Sequence, residues 1–172
     1  MARHPFIVHV GTLRRDPGAR RWEYRRAPIP DLAITASQVP QGSEVIVDVG
    51  LEWVHGGILA TGTISAAWVG ECRRCLAPAG GELSASVREL FEEAGDPEVT
   101  YPLRGDQIDL EPLARDAVLL ELPLAPLCQE DCQGLCPVCG SNRNQGPCTG
   151  HVDLVDARWS ALDALRETSE PH

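Results

Sequence analysis

Five of the seven cysteines fall in one twenty-one-residue stretch, Cys128 to Cys148, which reads C-Q-E-D-C-Q-G-L-C-P-V-C-G-S-N-R-N-Q-G-P-C. The other two form Cys72-Arg-Arg-Cys75. No segment reaches the eighteen or so apolar residues that span a bilayer, and no apolar run followed by a small-residue cleavage site marks a signal peptide. The expected location is therefore the cytoplasm. Thiols stay reduced there, so clustered cysteines favour metal over disulfide. Such a stretch is expected to fold around an ion, and the rest of the chain must accommodate it.

Cys136-Pro-Val-Cys139-Gly140 is a zinc-knuckle pattern. Two thiolates at C-x2-C grip one ion, and the glycine lets backbone amides turn back toward sulfur. Two further ligands are needed, and three pairs compete. Cys128 and Cys132 are nearest and complete the expected set Cys128, Cys132, Cys136 and Cys139, although their three-residue gap to Cys136 is short. Cys148 and His151 lie a comfortable loop downstream. Cys72 and Cys75 would tie the module to a sheet. Free buried thiols are the bland reading. Cys132-x3-Cys136-x2-Cys139 also has iron–sulfur spacing. That chemistry needs a large barrel of alternating strands and helices, which this short chain does not offer.

Upstream, the pattern is that of strands. Phe6–Val10 is a short β-branched run. Residues 14–31 mix Arg, Pro and Gly around Trp22-Glu-Tyr24 and read as a loop with one short extended piece. Residues 45, 47, 49, 51 and 53 are apolar with period two. His55-Gly-Gly57 turns the chain into a second strand, 58–69, in which Gly62 marks a bulge or a close approach. Pro78-Ala-Gly-Gly81 is expected to turn it again, into a strand over 83–91. A helix is expected over Glu111–Leu122, with an apolar face at 113, 117, 120 and 124, closed by Pro123 and Pro126. A second helix is expected over 157–166, capped by Asp156. The class is α+β: an antiparallel meander or partly closed β-barrel, two short helices and a C-terminal cysteine-rich zinc module. The expected division is a β-rich core at 1–127 with a basic N-terminal arm, and a zinc-binding module with the last helix at 128–172, packed on the same domain.

Charge is unevenly spread over the formal −10. Residues 1–80 carry nine Arg against seven acids, whereas 81–131 carry thirteen acids against three Arg. Arg14, Arg15, Arg20, Arg21, Arg73 and Arg74 are candidate phosphate contacts, with a solvated edge as the alternative. The acidic middle argues against broad nucleic-acid coating and for a basic protein partner. The five His are scattered, and no nucleophile–base pattern or Gly-rich phosphate loop is present. No catalytic residue is expected. Glu92 and Glu93 belong to a solvated acidic run.

Four marks taken together resemble the YceD family of bacterial and plastid proteins. They are Cys72-Arg-Arg-Cys-Leu76 at the end of a hairpin, a proline-containing helix, the pattern L-C-x3-C-x-G-L-C-P-x-C-G-x-N-x-N over Leu127–Asn144, and D-x-R-W-x-x-L over Asp156–Leu162. The resemblance covers most of the chain after about residue 40. Cys148-Thr-Gly-His151 departs from the C-x-C ending of some relatives. The resemblance implies a role in accumulation of large-subunit ribosomal RNA, with that rRNA or a ribosomal protein as partner and zinc as a structural element. A metal-dependent RNA-processing enzyme and a zinc-stapled interaction module without RNA binding are the rival functions.

Overall fold

A computed structural model describes residues 4–16, 18–54, 56–96, 98–146 and 148. The chain divides into two compact units, Met1–Cys132 and Gln133–His172.

The first unit is mostly sheet. Its strands are β1 (Ile7–His9), β2 (Arg20–Pro28), β3 (Ser37–Gln38), β4 (Glu44–Val54), β5 (Gly57–Glu71), β6 (Pro78–Glu92), β7 (Tyr101–Arg104) and β8 (Gln107–Asp109). Helix α1 (Gly11–Arg15) follows β1, and α2 (Leu110–Glu121) follows β8. The sheet runs β1-β8-β7-β6-β5-β4-β2, with β3 paired separately to β5. All neighbours are antiparallel except β6 and β7, which pair in parallel at Phe91–Tyr101 and Glu92–Pro102. The sheet curls into a half-barrel. A guanidinium links its two edge strands, because Arg21 Nη2 on β2 donates to the His9 carbonyl of β1 at 2.6 Å.

Alternation sets the two faces. Val45, Val47, Val49 and Leu51 are fully buried on the inner face of β4. They join Ile58, Ile64 and Phe91 in one core with Leu110, Leu113, Ala114 and Val118 of α2. Gly62 is a close approach, not a bulge. The β4–β5 register runs through it unbroken, and a Cβ there would collide with the Asp48 carbonyl. Asp109 caps α2, its carboxylate accepting from the Glu111 N–H at 3.0 Å.

Four local expectations change. Residues 20–28 form a full edge strand paired along its length with β4, where a loop with one short extended piece is expected. Its polar, Pro-terminated sequence suits an edge, where one row of backbone groups goes unpaired. Residues 11–15 make a helical turn that buries Leu13. Pro78–Gly81 is strand, not turn, and pairs with Glu71–Trp68. The glycines leave room for the Trp68 indole, which a Cβ on Gly81 would meet at 3.3 Å. The turn is made instead by residues 72–77. Finally, α2 buries 110, 113, 114 and 118, while Leu120 is 86% and Leu124 84% exposed. Among the described residues no helix is long and apolar enough to cross a membrane. The helix expected over 157–166 lies outside the described residues.

Candidate metal centre

The long β5–β6 hairpin pairs without a break from Gly57–Glu92 to Glu71–Pro78. At about 3.3 Å per residue it carries its turn far from the β4–β5 turn. That turn is Cys72-Arg-Arg-Cys-Leu-Ala77. The Cys72 N–H donates to the Ala77 carbonyl at 2.8 Å, and the Leu76 N–H donates to the Cys72 carbonyl at 2.9 Å. Closing this tight turn puts Leu76 at φ 61°, a left-handed conformation that a side chain disfavours.

A strap running on from α2 meets the hairpin tip. Ser37 Oγ donates to the Pro123 carbonyl at 2.9 Å. The Arg73 N–H donates to the Pro126 carbonyl at 2.9 Å, and Arg74 Nη1 to the Cys132 carbonyl at 2.9 Å. Gly70 permits the approach, since a Cβ there would meet the Ala36 carbonyl at 2.5 Å and Pro126 Cγ at 3.2 Å. These ties bring Cys128 and Cys132 to Cys72 and Cys75. Cys72 Sγ lies 3.7 Å from Cys132 Sγ, and Cys75 Sγ lies 3.4 Å from Cys128 Sγ. All four sulfurs lie within 4.8 Å of one another.

Zinc–sulfur bonds of about 2.3 Å put tetrahedral sulfurs about 3.8 Å apart, close to these separations. A disulfide would need about 2.05 Å, far shorter than the 3.7 and 3.4 Å separations here. Cys72, Cys75 and Cys132 are buried, while Cys128 is exposed. Burial pushes the Cys72 thiol up, but backbone N–H groups of Cys128, Arg74 and Cys75 outweigh it and bring the group down to about 6. The shared hydrogen bond with Cys75, followed by burial, pushes Cys128 up to about 12. Cys72 thus ionises ahead of Cys75 and Cys128, whose thiols are pushed up. The four thiolates can hold a metal ion such as zinc, and they would leave it no open coordination position.

The second unit carries its own group of Cys136, Cys139 and Cys148. An isolated bridge pairs Leu135 with Asn142. Within it the Cys136 N–H donates to the Ser141 carbonyl at 2.8 Å, and the Gly140 N–H donates to the Cys136 carbonyl at 2.9 Å. Gly140 sits at φ 73°. Side-chain caps lace the loop, with Asn144 Oδ1 accepting from the Gln133 N–H at 2.7 Å. Asn142 Oδ1 accepts from the Asn144 N–H at 3.0 Å. Cys139 Sγ lies 3.2 Å from Cys148 Sγ and 3.1 Å from Ser141 Oγ.

The expected set of Cys128, Cys132, Cys136 and Cys139 is therefore divided between two groups. Its first half gathers with Cys72 and Cys75, its second half with Cys148. The iron–sulfur spacing at Cys132, Cys136 and Cys139 is divided in the same way. His151 lies outside the described residues.

The arginines expected to meet RNA are dispersed. Arg14 pairs with Glu93 at 2.9 Å and stacks on Trp53 at 5.4 Å. Arg21 pairs with the buried Glu23 at 2.8 Å. Arg73 and Arg74 flank the tetrathiolate, and Arg15 ends α1. Arg20 stands on the outer face of β2, its guanidinium 5.9 Å from the Trp22 ring. Sequence reasoning missed what stands beside it. Arg20, Trp22, Tyr24 and Arg26 share one face of β2, with Trp22 62% and Tyr24 55% exposed. Their period-two spacing was the available signal.

The pattern described as Large ribosomal RNA subunit accumulation protein YceD matches residues 60–166. An uncharacterized protein of Mycobacterium bovis is 36% identical over 166 residues, covering 92% of this chain and 80% of that relative. One of Mycobacterium leprae is 30% identical over 175 residues, covering 97% and 80%. An Arabidopsis thaliana protein, named Large ribosomal RNA subunit accumulation protein YCED homolog 1, chloroplastic, is 33% identical over 67 residues, covering 39% of this chain and 21% of its own. No solved structure matches. A match over most of the chain, spanning the hairpin turn and the whole cysteine segment, establishes that this chain belongs to the YceD family.

Proposed function

We propose that this chain is a non-enzymatic factor of the cytoplasm that supports accumulation of large-subunit ribosomal RNA by holding unpaired RNA on the outer face of β2. Family membership supports the role. The observation that carries the RNA contact is the alternation Arg20-Trp22-Tyr24-Arg26, two exposed aromatic rings between two guanidiniums. Exposed aromatic faces stack on bases without regard to sequence, and arginines bind the phosphates between them. Arg26 pairs with Glu44 at 3.1 Å, but both groups are exposed. Such pairs are worth little, so a phosphate can replace the carboxylate. The Arg73 and Arg74 pair at the hairpin tip supplies a second cationic point.

In this reading zinc occupies the tetrathiolate of Cys72, Cys75, Cys128 and Cys132 and is structural. It fixes the hairpin tip and its two arginines, and with four protein ligands it has no site for a reacting water. A basic ribosomal protein is the second reading. It is favoured by Leu120 and Leu124, both exposed in a segment whose sequence carries an excess of acids.

The test is crosslinking to single-stranded RNA, paired with complementation of a deletion strain scored by the ratio of large- to small-subunit rRNA. Trp22→Ala and Tyr24→Ala should each weaken RNA binding roughly 5- to 150-fold, the 1–3 kcal/mol of a stacked base, and should fail to restore the rRNA ratio. Unchanged RNA binding in both variants would remove the β2 face. Restoration by both variants, with loss in a Leu120→Glu, Leu124→Glu variant, would favour the protein partner.

A further inference from the structure

We propose that Cys136, Cys139 and Cys148 hold a zinc ion of their own, distinct from any ion at Cys72, Cys75, Cys128 and Cys132. The inference stands apart from the RNA reading above. Its basis is that the two C-x2-C loops are built alike. In the hairpin tip, the first cysteine's N–H donates to the carbonyl five residues on, and the residue after the second cysteine donates back to the first cysteine's carbonyl. Cys136 and Ser141, then Gly140 and Cys136, repeat both bonds at the same 2.8 and 2.9 Å. The residue after the second cysteine takes a positive φ in both, 61° at Leu76 and 73° at Gly140. Each loop is bracketed by antiparallel pairing, Glu71 with Pro78 in one and Leu135 with Asn142 in the other. This is the backbone geometry that presents two thiolates to one ion.

The second loop also has a partner sulfur. Cys148 lies 3.2 Å from Cys139, and the three sulfurs lie within 4.8 Å of one another. Hydrogen bonds through Asn142, Asn144 and Gly134 lace the loop into that shape. Three thiolates select a soft divalent cation over magnesium or calcium. The fourth position falls to a nitrogen or oxygen donor, so that three sulfurs share the ion with one imidazole or one oxygen ligand. The second site differs from the first in that respect, and also in accessibility, because only Cys136 among its cysteines is buried, whereas Cys72, Cys75 and Cys132 are buried at the first. Zinc at this site should therefore leave faster.

Zinc alone is the probe. The full-length chain is loaded with zinc, desalted and weighed by native mass spectrometry alongside elemental analysis. Wild type should carry two ions per chain, one for each cysteine group. Cys139→Ser and Cys148→Ser should each carry one, and so should Cys75→Ser. With cobalt in place of zinc, the Cys75→Ser chain should absorb at shorter wavelength than the Cys139→Ser chain, as three thiolates and a harder donor do against four thiolates. A chelator should strip the site of the Cys75→Ser chain several-fold faster.

One ion in wild type that persists in Cys139→Ser and Cys148→Ser would overturn the inference and leave the tetrathiolate standing. Recovery of Cys139 and Cys148 as a disulfide in zinc-loaded protein would also overturn it. One ion that persists in Cys75→Ser but is lost in Cys139→Ser would uphold it and remove the first site instead. The wild-type count is read even if a serine variant fails to fold.

Discussion

Leu76 and Gly140 occupy the same place in two loops of the same design, and they meet its demand differently. A left-handed φ costs an L-residue about 1–2 kcal/mol and costs glycine nothing. Leu76 holds φ 61° with 63% of its surface exposed, so its side chain recovers little through burial. Leu76→Gly should therefore raise the unfolding free energy of the zinc-loaded protein, read from urea denaturation, by up to about 1 kcal/mol. In the other loop Gly140→Ala should cost about 1 kcal/mol, read as roughly five-fold weaker zinc binding at the second group. A stabilising Gly140→Ala would mean that the loop does not hold the conformation described. At this scale the sequence was legible wherever the cysteines of one group are close together along the chain. The C-P-V-C-G knuckle announces itself. The partners of Cys72 and Cys75 do not, because Cys75 and Cys128 are 53 residues apart. Only the path of the strap from Pro123 to Cys132 decides which half-sites meet.

Strands announced themselves at the level of elements where one face is buried. Val45, Val47, Val49 and Leu51 alternate with polar residues because they line a core, and that register can be read directly. β2 hid because it is an edge strand. Glu23, on its inner face, is clamped between Arg21 at 2.8 Å and Arg25 at 2.6 Å rather than packed among apolar side chains. The inner face therefore offered no hydrophobic alternation, and the one period-two signal lay on the outer face, at Trp22 and Tyr24. α2 was placed correctly in sequence but rotated. The 113, 117, 120, 124 stripe looked apolar, yet the helix turns 110, 113, 114 and 118 to the sheet. This rotation is testable with a pair of substitutions. Leu113→Ala, at 2% exposure, should cost about 3 kcal/mol in chemical denaturation. Leu120→Gln, at 86% exposure, should fall within about 0.5 kcal/mol of wild type. Equal costs at the two positions would put the helix face back where the sequence pattern suggested.

For the molecule as a whole, the question is what a metal adds to a unit that already has a core. The buried cluster of sheet and α2 contains none of the cysteines, so the sheet does not need an ion in order to form. An ion at Cys72, Cys75, Cys128 and Cys132 would join the hairpin tip to the strap beyond α2, closing a loop whose ends, Cys75 and Cys128, are 53 residues apart. Treated as a covalent cross-link, closing such a loop removes about 4 kcal/mol of chain entropy from the unfolded state. For a unit of this size that is roughly 10–20 °C in Tm. Chelation of the zinc-loaded protein should therefore lower Tm by about that amount while the far-UV dichroism of the sheet persists at room temperature. Backbone amide exchange should rise at residues 72–77 and 123–132 and stay slow in β4 and β5. Cys75→Ser should reproduce the fall in Tm, because it breaks the same link. Cys139→Ser should not, because its sulfur belongs to the other group. Loss of the sheet signal on chelation would make the ion part of the folding nucleus, not a clasp added to a finished sheet. An unchanged Tm with zinc removal verified would mean that the four thiols meet without holding an ion.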